Sequence, residues 1–232
     1  MQTIRVANFD IDVMYKEIKN VHLSVYPPTG RVTISAPLHM TSELLKVYAI
    51  SKIAWIKKQQ KQLQSQEREP EKEFVNRETH YFKGKRYLLK LENTKGKSYA
   101  EIKHKKLVCY TKPDKVKLDK LKAIDAFYRA FLNQTIPSFI QKWEKELGVK
   151  VAEYGIKKMK TKWGTCNPVA KRIWVNIELA KKPVHCLEYI VVHEMVHLLE
   201  RKHNDKFTAH LNKHLPNWKA IKRELNELPV GV

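Results

Sequence analysis

The segment His193-Glu194-Met195-Val196-His197 has the clearest chemical meaning in this sequence. Residues four positions apart lie on one face of a helix, so two imidazoles at this spacing can bind one Zn²⁺. Glu194 follows the first imidazole directly, and a carboxylate there can take a proton from a metal-bound water molecule. The pattern therefore predicts a metal site in which Glu194 is the catalytic base.

A third ligand is expected, because a catalytic zinc usually has three protein ligands and one open position. His203 lies ten residues after His193 and is the first choice. His210 and His214 are alternatives. Glu200 could be a ligand or a carboxylate that orients an imidazole, since it lies on the same helical face.

The HExxH segment must lie on a helix, and the surrounding sequence predicts one from about Val184 to Arg201. Val191, Met195 and Leu199 recur at intervals of four residues. We expect this stripe to face the core and leave the imidazoles on the opposite side.

Upstream of this helix, short alternating segments predict strands, beginning with a hairpin at 22–35 whose loop contains two prolines. A helix is predicted over 42–63, and more strands over 80–110. A long helix is predicted from about 119 to 147, with Pro137 expected to kink or break it.

The fold predicted from these elements is α+β. A β-rich N-terminal half with one long helix is followed by a minimal zincin-like helical domain with a small sheet. We expect two subdomains, residues 1–115 and residues 116–232, of which the second contains the metal site.

Composition excludes several classes of protein. No apolar stretch approaches the roughly 20 residues of a membrane span, and the first ten residues lack the apolar run of a secretion signal. The three cysteines form no CxxC pair, so a disulfide framework is not expected. We therefore expect a cytoplasmic location. Cys166 and Cys186 could instead complete a structural zinc site, although Glu194 would then have no role.

The net charge of +21 suggests a polyanionic partner. The excess of Lys and Arg is spread along the chain, which is typical of a solvated surface rather than of a dedicated basic module. Weak, salt-sensitive association with nucleic acid or with an acidic substrate is the sharper interpretation.

Four segments together resemble the YgjP-like family of small zincin-type metal-dependent hydrolases. They are KMKTKWGTC at 158–166, NIEL at 176–179, LEYIVVHEMVH at 187–197 and HNDKF at 203–207. The resemblance is dense over about 155–220 and looser upstream. It implies that His193, His197 and His203 are the zinc ligands and that Glu194 is the catalytic base.

The residues Trp163, Gly164, Thr165 and Cys166 have two interpretations. Trp163 could pack in the core, with Gly164 allowing a bulge or a close backbone approach. Alternatively, this strand could lie beside the metal helix as an edge that pairs with an extended peptide substrate.

Taken together, the sequence predicts a zinc-dependent hydrolase, first of all a metallopeptidase that uses a metal-bound water activated by Glu194. Another divalent metal would also suit the ligands. One alternative is a metal-dependent hydrolase of a phosphorylated small molecule such as a nucleotide. The other is a non-enzymatic nucleic-acid-binding protein with structural zinc. No membrane partner is expected.

Overall fold

The structure is a computed structural model that describes residues 2–26, 29–65, 70–113 and 116–228. Contacts within the chain divide these residues into two compact units, 2–65 and 70–228. Helices and small sheets occur in both units, which confirms the α+β class. Among the described helices, none combines the length and the apolar character needed to cross a membrane.

The first unit is a four-stranded sheet followed by two helices. The strands are β1 (Gln2–Val6), β2 (Phe9–Lys16), β3 (His22–Tyr26) and β4 (Arg31–Pro37), and the helices are α1 (Ser42–Ser51) and α2 (Ile53–Ser65). The strand order is β1-β2-β4-β3, with β2 and β4 parallel. The β3–β4 hairpin was predicted and is confirmed, although Pro27 and Pro28 of its loop lie outside the described residues.

The single helix predicted over 42–63 is interrupted at Lys52, where the amide donates to the Ala49 carbonyl at 3.0 Å. Apolar side chains from the sheet and both helices form the core of this unit. Fully buried examples are Ile11, Ile34, Leu45 and Ile56.

The second unit begins with four strands in the same arrangement. They are β5 (Thr79–Phe82), β6 (Lys85–Asn93), β7 (Tyr99–Lys103) and β8 (Lys106–Thr111), in the order β5-β6-β8-β7. The central pair β6–β8 is parallel and both outer pairs are antiparallel, as in the first sheet. These strands belong to the unit that contains the HExxH segment, so the division by contacts falls earlier than residue 115.

A long helix, α3 (Lys117–Leu147), crosses the core of the second unit. Pro137 lies inside this helix without breaking it. The helix ends at Gly148, whose φ of 67° is the left-handed conformation that glycine adopts without steric cost.

The rest of the second unit, in the part of the chain that the structure describes, consists of a small sheet, a 3₁₀ helix (Ile177–Lys181) and three α-helices. The strands are β9 (Glu153–Lys157), β10 (Gly164–Asn167) and β11 (Arg172–Asn176), and the helices are α4 (Val184–Val196), α5 (Asp205–His214) and α6 (Trp218–Glu227). The strand order is β10-β11-β9, so β10 is an edge strand. Helix α4 contacts β10, α3, α5 and α6, which places the HExxH segment in the middle of the unit.

Helix α4 ends five residues before the predicted end at Arg201. The amides of Leu198 and Leu199 bond to carbonyls three residues back, so the helix tightens and stops after Val196. The prediction that Leu199 continues the core stripe is therefore wrong, and its side chain is 43% exposed. Val191 and Met195 are fully buried, as predicted.

Candidate metal centre

Three imidazoles converge where α4 ends and α5 is about to begin. Nε2 of His193 lies 3.0 Å from Nε2 of His203. One ring nitrogen from each of these residues and one from His197 all lie within 4.8 Å of one another. Nitrogens bound to one zinc at about 2.0–2.1 Å lie a little over 3 Å apart, so small side-chain movements would complete such a set.

Helix ends position these three rings. His193 is in the last turn of α4 and His197 is its C-terminal cap, so the two side chains lie one turn apart. His203 immediately precedes Asn204, whose side chain caps α5 by accepting from the Phe207 amide at 3.0 Å. The turn between the helices therefore returns His203 to the imidazole pair without a glycine.

The hydrogen bond of His197 determines which of its nitrogens is available. Nδ1 lies 3.1 Å from the carbonyl oxygen of Glu200, which can only accept, so Nδ1 is the protonated nitrogen. This leaves a lone pair on Nε2 for a metal. The Glu200 carboxylate instead accepts from the Lys202 amide at 3.3 Å, so the backbone of Glu200 orients the imidazole.

The other candidates lie elsewhere. His210 and His214 are both on α5, and neither belongs to the three-histidine cluster among the described residues. The pKa of His214 is lowered by burial and by neighbouring Lys213 and His210.

The first imidazole of the cluster is held neutral. Burial, with the nearby His197, His203 and Lys222, lowers the pKa of His193 to about 3. Its Nδ1 is buried and has no hydrogen-bond partner among the described residues, so Nε2 is the nitrogen that faces the cluster. A neutral imidazole is the form that binds a metal.

Phe207 packs against all three rings. The distances between ring centroids are 4.9 Å to His193 and 4.7 Å to both His197 and His203, and the side chain is buried. This aromatic contact limits the positions that the imidazoles can take. The HExxH spacing does not reveal it, and the only signal is the position of Phe207 four residues after His203.

Glu194 is on the same helix and is 5% exposed. Burial raises the pKa of its carboxyl group to about 8, and Lys162 opposes this shift. The same carboxylate contributes, after burial, to the raised pKa of Cys166 on β10, about 11. Glu194 is therefore close to the predicted substrate strand.

Gly164, the first residue of β10, lies against the Glu194 side chain. A Cβ at this position would meet the Cγ and Oε1 of Glu194 at 2.7 Å and the Cδ at 2.9 Å. The glycine thus allows a close approach between the strand and the carboxylate, which is the first of the two roles considered for it. Thr165 and Cys166 pair with Trp174 and Ile173 of β11, and the outer edge of β10 has no partner strand among the described residues.

The loop before β10 is fixed by Asn176, which belongs to a segment of the family resemblance that was given no structural role. Its buried side chain donates to the carbonyls of Met159 and Lys162, both at 2.8 Å, and accepts from the amides of Met159 and Glu178. The backbone amide of Asn176 also donates to the Trp163 carbonyl at 2.8 Å. These bonds tie the 158–163 segment to the end of β11.

The donor set fits a divalent metal of the zinc type. Three imidazoles on a partly buried face suit zinc and related ions, and the residue that follows the first of them carries a carboxylate. None of the cysteines belongs to this cluster among the described residues.

One protein-family model, described as YgjP-like, metallopeptidase domain, matches residues 19–228. No curated protein matches the chain in a sequence comparison. The family model spans nearly all of the chain and includes every residue of the cluster.

Proposed function

The chain belongs to the YgjP-like family of metallopeptidase domains, and from this premise we propose that it is a zinc-dependent peptidase with Glu194 as its catalytic base. The family supports a metal-dependent, peptidase-like function and implies a divalent metal. The identity of the metal as zinc and the roles of single residues are our proposal.

The observation that carries this proposal is the convergence of three imidazoles, with the buried carboxylate of Glu194 on the residue that follows the first of them. His193, His197 and His203 would hold the cation through their ring nitrogens. When bound there, Zn²⁺ supplies Lewis-acid chemistry, polarising a carbonyl and acidifying a water molecule.

Glu194 would provide the proton transfers. Its carboxylate takes a proton from the attacking water and delivers one to the leaving amine nitrogen as the peptide bond breaks. Burial of the Glu194 carboxyl group and its contact with Gly164 hold this group in one position, which would keep it correctly placed for both proton transfers.

The edge strand β10 would orient the substrate. An extended peptide can add to the free edge of β10 through backbone hydrogen bonds, which bring its scissile bond past Glu194. Trp163, Thr165 and Cys166 would then line this edge together with Gly164. The thiol of Cys166 is not expected to act as a nucleophile, because its pKa is raised to about 11 by burial and by Glu194.

The family points to a peptide or protein substrate and gives no support to association with nucleic acid. We place the activity in the cytoplasm, since Cys109, Cys166 and Cys186 are all free thiols. Hydrolysis of a phosphorylated small molecule is tested in the same experiment.

The test is a comparison of the wild-type protein with Glu194→Gln. We expect the substitution to leave zinc content unchanged and to lower peptide hydrolysis by about 10²- to 10⁴-fold, the usual contribution of a general base. Casein and nucleoside triphosphates are offered in parallel, and metal content is measured on the same samples. Equal activity of the two proteins on casein would refute the role of Glu194, and hydrolysis of the triphosphates alone would refute the peptidase.

A further inference from the structure

A second cluster of metal-binding side chains joins the start of α4 to α6. His185 and Cys186 are in the first turn of α4, and Glu224 is on α6. Nε2 of His185 lies 2.7 Å from Oε2 of Glu224. One donor atom from each of the three residues lies within 4.8 Å of the other two.

An ion pair alone does not account for this arrangement. The side chains of His185 and Glu224 are 49% and 45% exposed, and exposed pairs of this kind add little stability. The thiol of Cys186 is fully buried beside them, and burial together with Glu224 raises its pKa to about 12. A thiol, an imidazole and a carboxylate thus face one another at the edge of the core.

We propose that His185, Cys186 and Glu224 bind a Zn²⁺ ion that links the first turn of α4 to α6. The imidazole and the thiolate are ligands that zinc prefers, and the carboxylate is a common third. One thiolate and one carboxylate together balance the charge of the ion.

The surface beside the cluster leaves room for the ion and for a water molecule as fourth ligand. A cleft of about 440 Å³ is lined by His185, Glu224, Asn217 and Glu227, and also by the cationic Arg223. Donors on one tetrahedral zinc lie roughly 3.3–3.8 Å apart. The hydrogen-bonded atoms of His185 and Glu224 must therefore separate slightly from 2.7 Å, whereas any wider pair, at most 4.8 Å apart, must close by about 1 Å. The exposed side chains of His185 and Glu224 can make this movement.

Binding at this cluster releases one proton. Zn²⁺ would replace the proton of the Cys186 thiol, giving a zinc–thiolate bond and one H⁺ released to solvent. No oxidant or reductant is required. The ion would then fix the start of the helix whose other end carries the HExxH histidines.

The two clusters can be told apart because only this one contains a cysteine among the described residues. We would titrate tag-free full-length protein with Co²⁺ and follow the thiolate-to-cobalt charge-transfer absorption. We expect two equivalents of Co²⁺ and a thiolate band in the wild type. His193→Ala should lose one equivalent and keep the band, whereas Cys186→Ser should lose the other equivalent together with the band.

Cys166→Ser is the matched control, since Cys166 is partly buried and free but belongs to neither cluster, and it should keep the band. Because Cys186 is fully buried and its replacement could perturb folding, Glu224→Gln is the second variant. Glu224→Gln should weaken the affinity of this site for Co²⁺, measured from the thiolate band, by more than about tenfold. A wild type without a thiolate band, or a band that survives Cys186→Ser, would overturn the proposal. An unchanged affinity in Glu224→Gln would also overturn it. Loss of peptidase activity in Glu194→Gln is independent of all these outcomes.

Discussion

Replacing Gly164 by alanine should displace the carboxylate of Glu194. The new Cβ would lie 2.7 Å from Cγ and Oε1 of Glu194, whereas ordinary van der Waals contacts begin at 3.4 Å. The two groups must therefore separate by roughly 0.7 Å, and the buried Glu194 side chain has little space in which to move. The φ angle of Gly164 is not in the left-handed region, so the substitution acts through this contact and not through backbone strain.

A misplacement of about 1 Å at a reacting group can lower the rate about 100-fold. We therefore expect Gly164→Ala to lower kcat for peptide hydrolysis by about 10- to 100-fold, while zinc content stays at the wild-type value. The overpacking should cost about 1–3 kcal/mol of stability, which thermal unfolding would report.

Gly96→Ala is the matched control for this experiment. The nearest atom to a Cβ at Gly96 is the Thr94 hydroxyl oxygen at 3.7 Å, an ordinary contact, so kcat should not change. If Gly164→Ala turned over peptide as fast as the wild type while folded and fully metallated, the positioning of Glu194 by β10 would be refuted.

Two further predictions concern stability. Asn176→Ala should lower the free energy of unfolding by about 2–3 kcal/mol, because partly buried backbone groups lose their hydrogen-bond partner. The control Asn167→Ala frees only exposed amides and should cost less than about 1 kcal/mol. Urea unfolding followed by tryptophan fluorescence measures both losses, and equal losses in the two variants would contradict this prediction. Burial lowers the pKa of His80 despite the Glu78 carboxylate 2.7 Å away, so its stabilising contribution is present above the unfolded-state pKa of about 6.5 and declines as pH falls below it. His80→Gln should therefore lose less stability than the wild type between pH 7 and pH 5, and parallel pH profiles for the two proteins would refute this.

The spacing of the histidines carried much of the information about the site. The interval between His193 and His197 predicted one helical face, and the structure brings His203 beside them. The end of α4 could not be predicted in the same way. It depends on amides that bond three residues back and on the Glu200 carbonyl that engages His197, and neither is a property of residue type.

The pairing of the strands could not be predicted from the sequence either. Alternating residues predicted the strands, but they did not reveal that β2 is parallel to β4, since the alternation does not specify the direction in which a strand pairs. The contact between Gly164 and Glu194 joins residues 30 positions apart, and only the packing of β10 on α4 creates it.

The two four-stranded sheets share one strand order, yet each packs into a separate hydrophobic core. A chain with two such cores need not unfold in a single step. A metal ion bound to the second unit stabilises only the folded form of that unit by mass action. Chelation should therefore shift one melting transition and leave the other in place, and mutations in residues 2–65 can destabilise the protein without changing its affinity for metal.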